Sequence, residues 1–197
     1  MSEIKDVQIV MFYLKENINS FSLNNEIYEI FKDYLEFVQP KVFSIDEKLP
    51  LPLSVWISDS FELMFSKERM DIHYKNISSI KNLLNEKNHL CELSKKIGAS
   101  INRMGIVVNF SADNNVLINF KEKYKIDIFD KKEFKFDWLD TNDTDKYNFW
   151  TRFELFNKKY TLTFDINTMM GNTNFNVENV FDFYVNRIYE ESKKWNV

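Results

Sequence analysis

Two stretches of the chain share an alternating pattern of apolar and polar residues. The first is Phe61–Tyr74 (FELMFSKERMDIHY) and the second is Phe153–Ile166 (FELFNKKYTLTFDI). In each stretch apolar residues take every second position on both sides of a short polar turn, as a half-buried antiparallel hairpin requires. A constant offset aligns the two stretches and places Phe61 on Phe153. The pattern predicts one similar β-hairpin in each half of the chain.

Apolar residues at helical spacing predict four helices, two of them long. In chain order they are Ile27–Val38, Ser78–Ile97, Val116–Tyr124 and Asn176–Trp195. Ser111 is the predicted N-cap of the third helix. His89 lies off the apolar stripe of the second helix, which predicts that its side chain faces solvent. Cys91 lies on that stripe, which predicts a buried structural thiol.

The remaining apolar segments predict strands. They are Val7–Leu14, Lys41–Ile45, Leu53–Ser58, Ile101–Phe110, Lys125–Phe129 and Glu133–Trp138. Val7–Leu14 is apolar on both strand faces, which is typical of a strand in the middle of a sheet. An acidic loop rich in Asn and Thr is predicted at Asp140–Lys146.

The two halves follow the same order of elements. Each half has a strand, a helix, further antiparallel strands that end in the hairpin, and a long helix. The sequence therefore predicts an α+β protein built from two pseudo-repeats, residues 1–99 and 100–197, each of strand-helix-four antiparallel strands-helix. Together they would form one curved antiparallel sheet with the helices on one face. An ordinary α+β domain with two unrelated hairpins is the alternative.

This order of elements resembles the TATA-binding-protein fold over almost the whole chain. In that fold two halves join into one curved antiparallel sheet with helices on its convex side. A second resemblance, to a sporadically distributed family of uncharacterised bacterial proteins, is carried by Arg103–Asn109 (RMGIVVN) and Phe164–Asn167 (FDIN). The chain departs from that family's pattern at Val107, where the family has a second arginine. A shared fold does not imply a shared function, so this resemblance does not by itself predict that the chain binds DNA.

Composition narrows the class of protein. A content of 44% hydrophobic and 28% charged residues is typical of a folded soluble protein. No apolar run approaches the roughly 20 residues of a membrane span, and the first residues lack the apolar core of a signal peptide. With a single cysteine the chain forms no internal disulfide, so we expect a cytoplasmic protein without membrane contact. Lysine and asparagine in excess, with 3 Gly and 3 Pro, indicate AT-rich codons and hence a low-GC bacterium or its phage.

No pattern of residues predicts a cofactor or a metal. Three glycines leave no glycine-rich phosphate loop, and the sequence has no zinc-type Cys/His spacing. Glu62, Asp71 and His73 are predicted to share one sheet face, where they would form a small acid/base site of a hydrolase. The alternative for these three residues is an ordinary polar sheet face.

The sheet face that the helices leave uncovered is the predicted site of function. Its predicted partner-binding residues are Arg69, Asp71, His73, Trp150, Arg152 and Glu154. Tryptophan and arginine with a rim of mixed charge suit a protein partner, or a second copy of the chain in a homodimer. The leading prediction is a non-enzymatic protein-binding module acting as an inhibitor or accessory factor.

The alternative prediction is a nucleic-acid binder that uses the same face. It would place lysines at the ends of the sheet, with Trp150 stacking on bases. These lysines are Lys131, Lys132, Lys158 and Lys159. The net charge of −4 argues against a general binder of polyanions.

Overall fold

The computed structural model describes residues 3–14, 20–35, 38–42, 54–66, 68–97, 100–125, 133–142, 146–169 and 175–197. Its helices are α1 (Ser20–Phe31), a 3₁₀ helix (Ile80–Glu86), α2 (Lys87–Ile97), α3 (Asn114–Tyr124) and α4 (Val177–Trp195). Its strands are β1 (Glu3–Leu14), β2 (Lys41–Val42), β3 (Ser54–Ile57), β4 (Phe61–Phe65), β5 (Arg69–Tyr74), β6 (Ser100–Ala112), β7 (Phe134–Asn142), β8 (Tyr147–Phe156) and β9 (Lys159–Thr168). None of the helices in the described part of the chain is long and apolar enough to cross a membrane.

All nine strands form one antiparallel sheet, in the order β2-β3-β4-β5-β1-β6-β9-β8-β7. The predicted α+β class with one antiparallel sheet is thereby confirmed. The first strand of each half, β1 or β6, lies at the centre, and the hairpin of the same half lies beside it. The strands next to the β1–β6 pair are thus arranged alike on its two sides, with four described strands beyond β1 and three beyond β6. This arrangement is compatible with the predicted pseudo-repeat.

Both predicted hairpins are present, but their registers differ. In the first hairpin Phe61 pairs with Tyr74, whereas in the second Phe153 pairs with Leu162 and Ile166 pairs with Phe149. The constant offset that places Phe61 on Phe153 is therefore wrong as a structural alignment. The reason is that the turn of the second hairpin lies two residues nearer to Phe153 than the turn of the first hairpin lies to Phe61.

The turn of the second hairpin consists of two residues. Asn157 and Lys158, both with positive φ, connect a last pair between Phe156 and Lys159, which is the geometry of a two-residue hairpin turn. In the first hairpin the last ladder pair is Phe65 with Met70, and beyond it the N–H of Ser66 donates to the carbonyl of Arg69 over 2.9 Å. Because the turn lies at a different place in each stretch, residues matched in the sequence are not matched across the strands.

Side chains alternate across the sheet, and the helices pack on one of its faces. The predicted helix-facing residues are all buried: Phe61, Leu63, Ile72, Phe153, Leu155 and Phe164. Phe31 of α1 contacts Phe61 with 5.1 Å between ring centroids, and Phe120 of α3 stacks on Phe153 at 4.6 Å. Period-two alternation therefore predicted correctly which side of each hairpin enters the core.

The predicted helix Ser78–Ile97 divides into the 3₁₀ helix and α2. Ile80, Leu83 and Glu86 are the buried residues of the first part, and their spacing of three matches the 3₁₀ period. Cys91, predicted to be buried, is only half-buried, whereas Leu93 is fully buried.

In the second half of the chain, the N-cap of α3 and the end of β7 differ from the prediction. Asp113 caps α3 in place of the predicted Ser111, because its carboxylate accepts from the N–H groups of Asn115 and Val116. β7 runs to Asn142, into the predicted acidic loop. Of the predicted strand Lys125–Phe129, Lys125 is the C-cap of α3, and residues 126–129 lie outside the described residues.

His89 is not solvent-facing as predicted. Its Nδ1 lies 3.0 Å from Oε2 of Glu86, whose Oε1 accepts a hydrogen bond of 2.6 Å from the Tyr34 hydroxyl. Burial disfavours the Glu86 carboxylate, but the hydrogen bonds with His89 and Tyr34 outweigh it and lower the pKa of Glu86. The hydrogen bond with Glu86 raises the pKa of His89 against the effect of burial. The pair links the start of α2 to Tyr34, which follows α1.

We expect Phe164→Ala to lower the free energy of unfolding by about 3 to 5 kcal/mol, because it empties a fully buried position. The Phe164 ring contacts Phe110 and Phe149, at centroid distances of 5.6 and 5.8 Å. Urea denaturation measures the change. Phe156→Ala, at a side chain that is 64% exposed, is the control and should stay within about 0.5 kcal/mol of wild type. Equal midpoints for the two variants would contradict the assignment of the buried face.

The His89–Glu86 pair predicts a pH dependence of stability. A pKa raised in the folded state favours folding below the ordinary value of 6.5, and this contribution disappears as pH rises through the raised pKa. The stability difference between wild type and His89→Gln should therefore shrink between about pH 6 and about pH 9. Denaturant titrations of both proteins at each pH measure it. A difference that is constant or grows over this range would show that folding does not favour the protonated form of His89.

Candidate functional site on the uncovered sheet face

The open face is the side of the sheet opposite the helix-facing residues, and it carries the other half of each alternating pattern. Cross-strand neighbours line up on it in rows that run from strand to strand. One row, from β4 to β7, consists of Glu62, His73, Gln8, Val107, Asp165, Trp150 and Leu139. Seven strands at a spacing of about 4.8 Å make this row roughly 29 Å long.

The predicted partner-binding residues fall into two clusters on this face. One cluster lies on β5 and consists of Arg69, Asp71 and His73. The other lies on β8 and consists of Trp150, Arg152 and Glu154. His73 and Trp150 occupy the same row, separated by four strand spacings, or about 19 Å. The six residues share one face, as predicted, but they do not form one compact site.

The β5 cluster is organised around the buried carboxylate of Asp71. The Arg69 guanidinium binds both Asp71 oxygens, with 2.8 Å from Nε to Oδ2. The side-chain amide of Gln8 donates to Oδ1 over 3.0 Å. A bidentate charged pair of this kind holds both partners in one orientation. Asp71 therefore positions Arg69 and is not a free base.

The predicted acid/base group is brought together only in part. Glu62 lies directly opposite His73, but Asp71 is bound by Arg69 and Gln8. Nε2 of His73 is buried and has no hydrogen-bond partner among the described residues. Within the same residues, no three His, Cys, Asp or Glu side chains are placed to hold a metal ion. The arrangement lacks the base-to-nucleophile hydrogen bond that acid/base catalysis would use.

Phe12 and Arg103 extend the β5 cluster toward the centre of the sheet. Phe12 pairs with Arg69 on one side and with Arg103 on the other. Both guanidinium groups lie over the Phe12 ring, at 5.5 and 4.8 Å from its centroid. Arg103 has no ion pair with a described residue, and its Nε is buried without a hydrogen-bond partner there. Phe12 and Arg103 are not among the predicted partner-binding residues, although the alternation along β1 and β6 places both on the open face.

The β8 cluster is a network of ion pairs beside an aromatic ring. Arg152 lies 3.2 Å from Asp165 on β9 and 3.3 Å from Asp137 on β7. Its guanidinium also lies over the Trp150 ring, at 5.6 Å from the centroid. Lys135 binds Glu154 at 3.2 Å. These contacts cross three strands, so they hold Arg152 in a defined orientation next to Trp150.

Hydrogen bonds connect the polar residues between the clusters. Asn109 donates to Asp6 over 2.8 Å and accepts from the Thr163 hydroxyl over 2.6 Å. On the two central strands Val10, Phe12 and Val107 are apolar residues of this face. Apolar residues thus form only a part of its centre.

Charges on the open face are nearly balanced, but arginines are concentrated there. Its carboxylates are Glu3, Asp6, Glu62, Asp71, Asp137, Glu154 and Asp165. Its cations among the described residues are Lys5, Lys41, Arg69, Lys75, Arg103, Lys135, Arg152 and Lys159. Three of the four arginines of the chain lie on this face, although the chain has 22 lysines. Arginine is enriched in the same way at protein interfaces.

The lysines expected of a nucleic-acid site are only partly placed. Lys158 and Lys159 are exposed at the β8–β9 turn. Lys131 and Lys132 lie outside the described residues. The two lysines at the turn lie at one end of the sheet, far from the arginines of the β5 cluster. The described cations therefore do not form one continuous basic surface along which a phosphate backbone could lie.

Comparison with protein-family models and with curated proteins finds no match for this chain. No activity or partner is therefore transferred to it from a relative. What the open face does has to be inferred from its own side chains and their geometry.

We expect Trp150→Ala to leave the fold intact and to lower the free energy of unfolding by no more than about 1 kcal/mol, because Trp150 is only half-buried on the open face. Urea denaturation measures this loss, and Phe164→Ala, measured in the same way, shows how large the loss from a core truncation is. A loss as large as that of Phe164→Ala would mean that Trp150 belongs to the core and that the open face is assigned incorrectly.

Proposed function

We propose that the protein is a non-enzymatic protein-binding module that uses its open sheet face. The observation that carries the proposal is the concentration of three of the four arginines on this face, two of them against Phe12 and one against Trp150. Arginine and tryptophan are the residues that most often contribute large binding energies at protein interfaces. Lysine, which interfaces tend to exclude, is abundant elsewhere in the chain.

The geometry of the arginines supports tight rather than adaptable contacts. Arg69 is held by Asp71, and Arg152 is held by Asp165 and Asp137. A side chain that is already ordered loses little conformational entropy when a partner binds it. The two arginine-aromatic clusters, about 19 Å apart, would act as separate anchors for one broad partner surface.

The chemistry of the proposed partner is inferred from the guanidinium group of Arg103. Arg103 lies on Phe12 without an ion pair to any described residue. A carboxylate of the partner next to Arg103, with an apolar side chain over Phe12, would satisfy both groups. The proposed partner is therefore a protein with an acidic and apolar patch, which this chain occupies as an inhibitor or accessory factor.

Nucleic-acid binding is the second candidate, supported by Trp150 and by the exposed Lys158 and Lys159. It is less well supported because carboxylates and cations nearly balance on the open face, so a phosphate backbone gains little from it. Hydrolysis at Glu62, Asp71 and His73 is a third candidate, weakened by the ion pair between Asp71 and Arg69.

The proposal predicts that partner binding depends on the two arginine-aromatic clusters. Immobilised wild type should capture a protein from lysate of the native host, and Arg103→Ala and Trp150→Ala should each lose it. Truncation of an interface anchor costs about 2 kcal/mol or more, which corresponds to roughly a thirtyfold weaker affinity. Calorimetry with the purified candidate measures this directly.

Ile118→Ala, at an exposed side chain on α3, is the matched control and should bind like wild type. Equal loss by this control, or full retention by both open-face variants, would contradict the proposal. Titration with duplex DNA and RNA at two salt concentrations separates the second candidate. Binding that weakens steeply with salt would favour nucleic acid and overturn the protein-binding assignment.

A further inference from the structure

A pocket lies on the helix side of the sheet, far from the open-face residues. It has a volume of about 390 Å³, within the range of small-molecule sites. Phe149 and Thr151 of β8 line it, as do Trp138 and Asp140 of β7. The remaining walls come from Lys123 and Tyr124 of α3 and from Arg187, Glu191 and Lys194 of α4.

The Glu191 carboxylate in this pocket already has a full set of hydrogen-bond donors. Oε1 accepts from Lys123 over 2.9 Å and from the Trp195 indole N–H over 3.1 Å. Oε2 accepts from Lys194 over 2.8 Å and from Arg187 over 3.3 Å. An ionised carboxylate has about four acceptor positions, so this one has no room for another donor. Burial opposes its ionisation, but Lys194 and Lys123 lower the pKa of Glu191 to about 2.

The cations around Glu191 exceed what that carboxylate needs. Each lysine ammonium has three N–H donors and gives one of them to Glu191. The Lys123 and Lys194 side chains are 42% and 58% exposed, so the remaining donors are accessible. Asp140 lies 3.7 Å from Arg187 and balances a second cation. Three cations against two carboxylates leave one positive charge at the pocket.

Aromatic rings form the other part of the pocket. Tyr124 and Trp138 have ring centroids 5.6 Å apart with planes at 46°, which makes a corner. Trp138 is 51% exposed, more than is usual for a residue whose only role is packing. An exposed indole beside accessible ammonium groups offers a stacking surface and a charge within one small volume.

From these features we propose that the pocket binds a small aromatic carboxylate, with the ring against Trp138 and Tyr124 and the carboxylate on Lys194 and Lys123. One net positive charge suits a monoanion. The aromatic rings form the apolar side of the pocket and the charged side chains form the other side, so the pocket matches a planar ligand with an anionic end. The pocket is separate from the open face, so this proposal does not depend on the proposed protein-binding function.

The test uses naphthalene-2-carboxylate as the probe, with binding followed by calorimetry and by tryptophan fluorescence. We expect saturable binding to wild type with a dissociation constant below about 1 mM. Naphthalene-2-carboxamide, which has the same ring system without the charge, should bind about tenfold more weakly. Acetate, which has the charge without the ring, should not compete at similar concentrations.

Two variants connect the binding to the pocket. Lys194→Gln should weaken binding of the probe about tenfold, because it removes one accessible ammonium group. Lys193→Gln is the matched control: it changes the neighbouring exposed lysine, which pairs with Glu190, and should bind like wild type. Trp138→Ala should also weaken binding while the thermal midpoint stays unchanged, because its side chain is half-exposed.

Three results would overturn the proposal. The first is no saturable binding of the probe by wild type up to about 10 mM. The second is equal affinity for the carboxylate and the carboxamide, which would mean that the pocket does not recognise charge. The third is the same affinity in Lys193→Gln and Lys194→Gln, which would place the bound probe elsewhere. Circular dichroism of each variant confirms that the comparison is made between folded proteins.

Discussion

The pairing of β1 with β6 is the contact on which the rest of the molecule depends. It runs from Glu3–Ser111 to Leu14–Ser100 and is the only place where the sheet crosses from one half of the described chain to the other. Gly105 lies within it, where an added Cβ would stand 3.3 Å from Cβ of Asn167 on β9. The central strands are buried on the helix side by Ile9 and Ile106, which face each other. Each hairpin then extends the sheet outward from this pair.

Because the helices pack on a single face, the two sides of the sheet have different chemistry. The helix side is closed by aromatic contacts such as Phe120 with Phe153, and burial of such rings is the main source of stability in the core. The open side has polar groups that satisfy one another across strands, as Arg152 does with Asp165 and Asp137. A half-exposed polar surface with ordered arginines is where the proposed protein partner would bind.

The alternation of residues predicted much of this fold because each strand obeys a local period. Both hairpins, the inward side of Phe61 and Phe153, and the long helix α4 were predicted correctly. The constant offset between hairpins was wrong because the position of the turn, and not the alternation within the strands, sets the register. The prediction that His89 faces solvent was wrong. Glu86, its hydrogen-bond partner, also contacts Tyr34, which follows a different helix, so the pattern within one helix does not reveal this group of residues.

The sequence alone determined which side chains lie on the open face, because strand geometry sends neighbours to opposite sides. It did not determine that these residues form two clusters, since the distance between β5 and β8 depends on the order of strands in the sheet. The contact of Arg103 with Phe12 and the contact of Lys123 with Glu191 were likewise decided by tertiary structure. In both contacts the two residues come from elements far apart in the chain, and no local pattern encodes that they meet.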